Sequence, residues 1–349
     1  MITSQQLLTQ FPKLLNGTIA TALEFHRLSS PENFQAGDII VCENKELLSS
    51  LSEKDVIPGL VITSQELLEH IPETIPTLTS PNPRLVHAFI KQLLNEYQHA
   101  DLEWDQIHSS AIIHPSSQIP NDCRIGPNVV IGANVDIGKN TVIRSNSVIE
   151  HNVVIGDDCT IHNQVNIGYE SQIGNRVIIR SGVVIGNEGF GFAKDENNQY
   201  HRVPHTGNVE IQDDVHISSN CNVDRGTYGT TLIKRGCKLD ALCHIAHNVE
   251  LGENCILVAQ CGVAGSTVIG DRVILSGQTG VLDHKKIADD AVLVHRAGVI
   301  CDVPEGGVWG GIPPKPMKEH MKRANSYKIL EKKIAKLEDK IAELKSKTT

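Results

Sequence analysis

The sequence predicts a mainly β protein: a left-handed parallel β-helix of hexapeptide repeats, with a small N-terminal α/β domain and C-terminal α-helices. Three observations carry that prediction. Aliphatic residues recur every six positions through the middle of the chain, the N-terminal stretch lacks this period, and a heptad seam runs near the C-terminus.

Counting by six from Ile113, thirteen successive stops up to Ile185 are isoleucine. The register breaks over "NEGFGFAKDENNQYHRVPHTGN" and resumes at Ile211, Ile217 and Val223. Four extra residues around "RGTYGTT" interrupt it again, and it then runs from Ile233 through Ile245, Val263 and Val281 to Val299. Neither a helix, at 3.6 residues per turn, nor an ordinary strand, with its period of two, gives strict sixes over such a length. Glycine often follows the aliphatic residue, as at 126, 132, 138, 156, 168 and 174, which is the signature of a parallel β-helix. Each hexapeptide supplies one short strand and one corner, so 18 residues complete a coil of a triangular prism. The aliphatic residue, position i, points inward, and i−2 points inward beside it because strand side chains alternate. At about 1.5–3 kcal/mol per buried aliphatic side chain, these positions supply the core energy that offsets chain entropy.

The cysteines fit the same pattern. Cys123, Cys159, Cys221, Cys237, Cys243, Cys255 and Cys261 each stand at i−2, where a small apolar thiol fills space, and no CxxC pair suggests zinc or a redox motif.

Three segments follow: 1–105, 106–312 and 313–349. In the first, "SQQLLTQF", "NKELLSSL" and "RLVHAFIKQLLNEY" read as helices and "DIIVC" and "GLVIT" as strands. In the last, Leu330, Ile334, Leu337, Ile341 and Leu344 are spaced 4-3-4-3, a seam suited to self-association. With the flat sides of a prism, this favours a homotrimer. Net charge is −9, which disfavours nucleic acid as a partner. From Pro313 onward, 11 Lys/Arg stand against 5 Asp/Glu, a basic tail suited to an acidic partner. No signal-like or membrane-spanning run is present, so a cytoplasmic location is expected.

The outward side chains carry the chemistry. In "CHIAHNVELGEN", His244 stands at i−1 and His247 at i+2 in the corner. One coil after His247 comes Gly265, which leaves room for a ligand and offers a backbone N–H. Two coils after it, near position 283, comes His284. A neutral imidazole accepts a proton near pH 7, and an N–H facing it stabilises an oxyanion. That pair suits acyl transfer to an amine, although a corner histidine by itself is ordinary surface. A zinc site needs a third converging histidine, which the spacing does not supply, so no metal is expected.

The stretches "GNEGFGFAKDENNQYHRVPHTGNVEIQDDVHISSNCNVDRG", "KLDALCHIAHNVELGENCILVAQCGVAGST" and "GGIPPKP" resemble the UDP-3-O-acylglucosamine N-acyltransferases of lipid A biosynthesis, over essentially the whole chain. The resemblance implies transfer of a 3-hydroxyacyl chain from acyl carrier protein to the 2-amino group of UDP-3-O-acyl-glucosamine. No cofactor is implied beyond the phosphopantetheine that arrives with the donor. It further implies that His247 is the general base, Gly265 the oxyanion donor and His284 a second active-site histidine. Asp240 would orient the base, and because it lies one prism side away in the same chain, it would have to come from a neighbouring subunit. Phe190 and Phe192 of the 22-residue insertion would cover the acyl groove, His244 would line it, and Gly298 would leave its far end open to a long chain. Lys315, Lys318, Lys322 and Arg323 would dock the carrier protein. The N-terminal domain would bind uridine through F-x-x-N-x-K-Y, but here only Asn44 remains, with Val41 and Leu47 in place of the aromatics. A different amino-sugar nucleotide as acceptor, or a scaffold without catalysis, are the alternatives.

Overall fold

The computed structural model describes residues 2–17, 19, 23–46, 48, 56–99, 104 and 106–348. It divides into two compact units, Met1–Glu103 and Trp104–Thr349.

The first unit is built on a four-stranded parallel sheet of Leu28–Ser29, Ile39–Val41, Leu60–Thr63 and Thr77–Thr79. Helix Ser4–Gln10 starts where Thr3 and Gln6 cap each other's backbone in a capping box. The two inner strands are buried along their whole length, as parallel strands covered on both faces must be. One face packs Ile39, Val41, Leu60 and Ile62 against Leu7, Val86 and Ile90, while the other packs Ile40 and Val61 against Phe34, Leu67 and Ile71. Val41 therefore lies inside the domain core and is not available to contact a nucleobase. Asn44 is exposed beyond the strand end. Leu47 and half of "NKELLSSL" (47 and 49–51) lie outside the described residues.

The second unit is a parallel β-helix whose three faces hold sheets of 8, 11 and 10 strands. In the uninterrupted coils, strands pair with the strand one coil on in a register of 18, as in Val142↔Thr160 and Ile143↔Ile161, and the insertions lengthen the offset, as in Gln172↔Glu210 and Asn222↔His244. Among the aliphatic i positions only Ile113 and Ile119 are partly buried, and the others are fully inside. The i−2 hydroxyls and thiols are satisfied without water. Thr141 Oγ1 donates to the Gly156 carbonyl at 2.9 Å, Ser147 Oγ to that of His162 at 2.8 Å, and Cys237 Sγ to that of Gly252 at 2.9 Å. Each carbonyl lies 15 residues ahead, at the foot of the next coil.

The corners turn through a left-handed residue at i+3, as at Asn128, Asn134, Asn140, Asn146 and Asn152, with φ between 55° and 62°. Asparagine tolerates this conformation better than other non-glycine residues. Several of these side chains also bond along the corner, as Asn140 Nδ2 does to Asp158 Oδ1 at 3.2 Å. The last coil is closed by Gly307–Gly310, where Trp309 pairs with Leu293, and helix Met317–Thr348 follows. Its seam residues Leu330, Ile334, Leu337, Ile341 and Leu344 are all exposed. Among the described residues, no helix is long and apolar enough to cross a membrane.

Ile143→Ala is expected to cost about 2–5 kcal/mol in denaturant titration, because the stacked coils cannot collapse onto the cavity. Asn140→Val should cost about 1–3 kcal/mol for a β-branched residue at positive φ, and Asn140→Gly distinctly less. Equal losses for Val and Gly would remove the backbone argument.

Candidate active site

The strand His244–Ile245 and its corner set the site. Ile245 is buried, so His244 at i−1 faces outward, and the chain then turns through His247 and the left-handed Asn248, φ 58°. On the ladder of the same face His244 pairs with Gly262, Gly262 with Gly280, and Gly280 with Gly298. One histidine thus heads a file of three glycines at 18-residue spacing. A Cβ added to Gly262 or Gly280 would meet nothing within 4 Å. The file is the floor of a groove of about 620 Å³, whose walls include Phe190, Asp224, His247, Gly265, Leu282 and Ile300. Most of this lining is apolar, which suits a hydrocarbon ligand.

The tautomer of His247 follows from its neighbours. Asn248 Oδ1 accepts the Thr227 N–H at 2.9 Å, and its amide nitrogen donates to the Tyr228 carbonyl at 2.5 Å. The oxygen is thereby turned toward His247 Nδ1, 3.3 Å away, with Thr227 Oγ1 at 3.2 Å from the same nitrogen. An oxygen acceptor at Nδ1 calls for a proton there, which leaves Nε2 with its lone pair. Nε2 faces Gly265, where a Cβ would stand 2.6 Å from it and 2.5 Å from Cε1. Glycine at 265 is what lets the next coil close over the imidazole. At the equivalent corner position elsewhere, an Asx side chain of the next coil takes the N–H, as Asp157 Oδ1 does for Lys139 at 2.7 Å. Among the described residues, the Gly265 N–H has no such partner.

A buried acid stands behind the histidines. Asp224 is 3% exposed and its Oδ2 lies 3.5 Å from His244 Nε2, while Oδ1 accepts from Asn222 Nδ2 at 3.1 Å. Burial pushes its carboxyl above the usual aspartate range, with the charges of His244 and His247 pulling the other way.

Asp240 was expected one prism side from His247 in its own chain, and other candidate residues also lie away from the groove. Asp240 is on a different face, exposed, with its carboxylate accepting the N–H groups of Ala241 at 2.7 Å and Ala259 at 3.2 Å. The acid beside His247 in the same chain is Asp224. His284 occupies the left-handed corner position, φ 54°, in file with Asn248 and Ser266, and its side chain is 72% exposed. The residue over His247 and Gly265 in the groove wall is Asp283. Gly298 is roofed by Ile312, whose Cγ1 would lie 2.7 Å from an added Cβ, so this end of the glycine file is covered. Phe190 does line the groove, whereas Phe192 packs edge-on against it, ring centroids 4.9 Å apart. Lys315 pairs with Glu319 at 2.9 Å, Lys318 and Lys322 are at the surface, and Arg323 shares a cleft with Lys315, His320 and Tyr327 beside Ile312. Asp224, Thr227 and the buried His205, whose ring lies 5.0 Å from that of His247, were not singled out in the sequence. His205 and Asp224 lie within the "GNEGFGF…NVDRG" stretch that resembles the family, but nothing in it sets them apart from their neighbours. Among the described residues, no group of three metal-ligating side chains converges.

Two family models match the prism: the "GMPPB C-terminal domain" over residues 107–189 and "Bacterial transferase hexapeptide (six repeats)" over 230–265. A UDP-3-O-acylglucosamine N-acyltransferase of Methylococcus capsulatus is 42% identical over 257 residues, 72% of this chain and 72% of that protein. One from Polynucleobacter asymbioticus is 34% identical, covering 71% of this chain and 72% of its own. The crystal structure of an Arabidopsis UDP-N-acetylglucosamine acyltransferase shares the fold with a TM-score of 0.51 at 23% identity, over 59% of this chain and 71% of that one. With a prism of hexapeptide coils and relatives matched over more than two thirds of their length, this chain belongs to the UDP-3-O-acylglucosamine N-acyltransferase family and is an acyltransferase.

Proposed function

We propose that the protein transfers a 3-hydroxyacyl chain from acyl carrier protein to the 2-amino group of UDP-3-O-acyl-glucosamine in lipid A biosynthesis, with His247 as general base. The observation that carries this reading is the His247 imidazole in the wall of an apolar groove, its Cε1–Nε2 edge packed on Gly265 and its Nδ1 beside Asn248 Oδ1. The amine nitrogen attacks the thioester carbonyl. As the C–N bond forms, His247 Nε2 takes the amine proton, and the oxygen charge falls to the Gly265 N–H. The tetrahedral intermediate then breaks its C–S bond, and the imidazolium returns the proton to the leaving thiolate. Asp224 sits where it stabilises positive charge on the histidine pair. The acyl chain lies along Gly262 and Gly280, under Phe190.

The basic cleft of Lys315, His320 and Arg323 lies beside Ile312, where an acidic carrier would dock, its pantetheine arm carrying the thioester to His247 and Gly265. The exposed seam from Leu330 to Leu344 supports assembly as a homotrimer, and Asp240, remote from His247 in its own chain, is free to serve a neighbour's site. The N-terminal unit is the place for the uridine, but with Val41 inside its core the base is held without an aromatic at that position.

His247→Ala is expected to lower kcat about 10²–10⁴-fold, read by mass spectrometry of the N-acylated product formed from mixed acyl donors. Unchanged turnover would dismiss the base. Gly280→Leu should block the groove floor, cutting use of long donors while short ones still react. Equal loss for all lengths would count against an acyl chain lying there.

Asp224→Asn carries an opposite pair of effects. Because burial raises the folded-state pKa of Asp224, the folded protein holds the proton more tightly than the unfolded chain does. Stability is therefore lost as pH rises from the unfolded value, about 3.9, through the folded one. The Asn variant should melt above the parent at pH 8, with the difference closing in acid, while its kcat falls. Melting curves across pH check this, and a variant less stable at pH 8 would contradict it.

A further inference from the structure

Thr227 belongs to the four-residue insertion that interrupts the prism one coil before His247. Regular corners show what the insertion changes. Where an Asx stands at i+2, its side chain accepts a backbone N–H from the preceding coil. Lys139 donates to Asp157 Oδ1 at 2.7 Å, Asp157 to Asn175 Oδ1 at 2.8 Å, and Glu253 to Asp271 Oδ1 at 2.8 Å. His247 also stands at i+2, so an uninterrupted corner would direct an N–H at its ring. A donor there would take up the lone pair of the nearer nitrogen and leave the proton on the other one.

The insertion supplies an oxygen instead. The Thr227 N–H is diverted to Asn248 Oδ1 at 2.9 Å, and Thr227 Oγ1 comes to 3.2 Å from His247 Nδ1. The backbone is moulded tightly around this contact. Gly207 N–H donates to the Gly226 carbonyl at 2.9 Å and Thr206 N–H to that of Thr227 at 3.0 Å. Gly229 has φ 69°, and a Cβ on Gly226 would stand 2.6 Å from the Gly229 carbonyl and 2.9 Å from Asn248 Nδ2. The titratable groups around the ring are His205 and Asp224, His244 on its own strand, and Asp283 in the groove wall. Arg225 is buried and lines a second cavity of about 360 Å³, across Asn222–Asp224 from the groove. Its guanidinium donates to the carbonyls of Gly186, Tyr169 and Gly207. Among the described residues, the hydrogen-bonding oxygens at His247 Nδ1 are those of Thr227 and Asn248.

We propose that Thr227 is a positioning residue: its Oγ1 accepts the His247 Nδ1–H, which directs the Nε2 lone pair to the reacting amine and steadies the imidazolium as it forms. This rests on His247 being the general base of the N-acyl transfer, as put forward above. An oxygen that accepts from Nδ1 favours the protonated ring, whereas a hydroxyl that donated to Nδ1 would favour the neutral ring. The two arrangements move the base in opposite directions. The pH dependence of kcat/KM for the full-length protein, with UDP-3-O-acyl-glucosamine and acyl carrier protein, separates them. Thr227→Val keeps the branched shape without the oxygen. It should lower kcat about tenfold and move the acidic limb of the profile down by about half to one pH unit, the worth of one hydrogen bond. Thr227→Ser should restore both, and Thr227→Ala serves as the variant without oxygen if the Val protein folds poorly. An acidic limb that stays in place or moves up overturns the inference, as does a Ser variant as slow as the Val one. A parent that shows no acidic limb, or does not acylate this acceptor, overturns the reading of His247 itself.

Discussion

Everything in the prism depends on one constraint: an inward aliphatic residue and a left-handed corner must recur together every six residues. If one corner fails to turn, the next aliphatic side chain rotates out of the core and the following coils lose register. The protein meets the constraint with Ile, Leu and Val at i and with a left-handed residue at i+3, often Asn, Asp or Gly but also Gln, Glu, Arg and Leu. Because consecutive coils stack at 18 residues, a sequence offset becomes a spatial direction. Residues 244, 262, 280 and 298 form one file along a face, and 247, 265 and 283 form another along the edge.

That translation explains which parts of the fold and site were legible. The β-helix, the burial of the cysteines at i−2, the outward His244 and the stacking of Gly265 on His247 all follow from counting. His284 shows the limit of counting by approximate position. One residue separates it from the groove file, and that residue moves it from the wall to the exposed corner. Asp224, Thr227 and His205 were not legible because the four-residue insertion separates Asp224 from His247, Thr227 lies within that insertion, and His205 lies within the 22-residue excursion. Their approach depends on the path of irregular backbone, and no period encodes that path. Val41 illustrates a different limit. In a strand buried on both faces, alternation disappears, so the pattern does not reveal which face a residue takes.

The two interruptions in the repeat are also where the polar chemistry is concentrated. A regular coil can offer outward only what fits the i−1, i+1, i+2 and i+3 positions, and it presents them 18 residues apart. The insertion before Ile211 brings Phe190, Glu188 and His205 over the face, and the one before Ile233 brings Thr227 and Tyr228 to Asn248. The regular part supplies a straight apolar floor, as a hydrocarbon chain requires. The irregular parts supply hydrogen-bonding groups at spacings the coil does not allow.

Asp224 shows what such a site costs the fold. Its position at Asn222–Asp224 is on a strand between the two cavities, and its carboxylate is buried with one long contact to a histidine. A neutral amide there would avoid the desolvation cost of the charge. The carboxylate earns its place only when the neighbouring imidazoles gain a proton, because two histidines beside one buried acid repel each other less than they would alone. In the proposed reaction, a positive charge on His247 is stabilised by the same carboxylate that burial penalises in the resting protein. His205, neutral and with its own pKa pushed down by burial and by the charge on His247, does not compete for that proton.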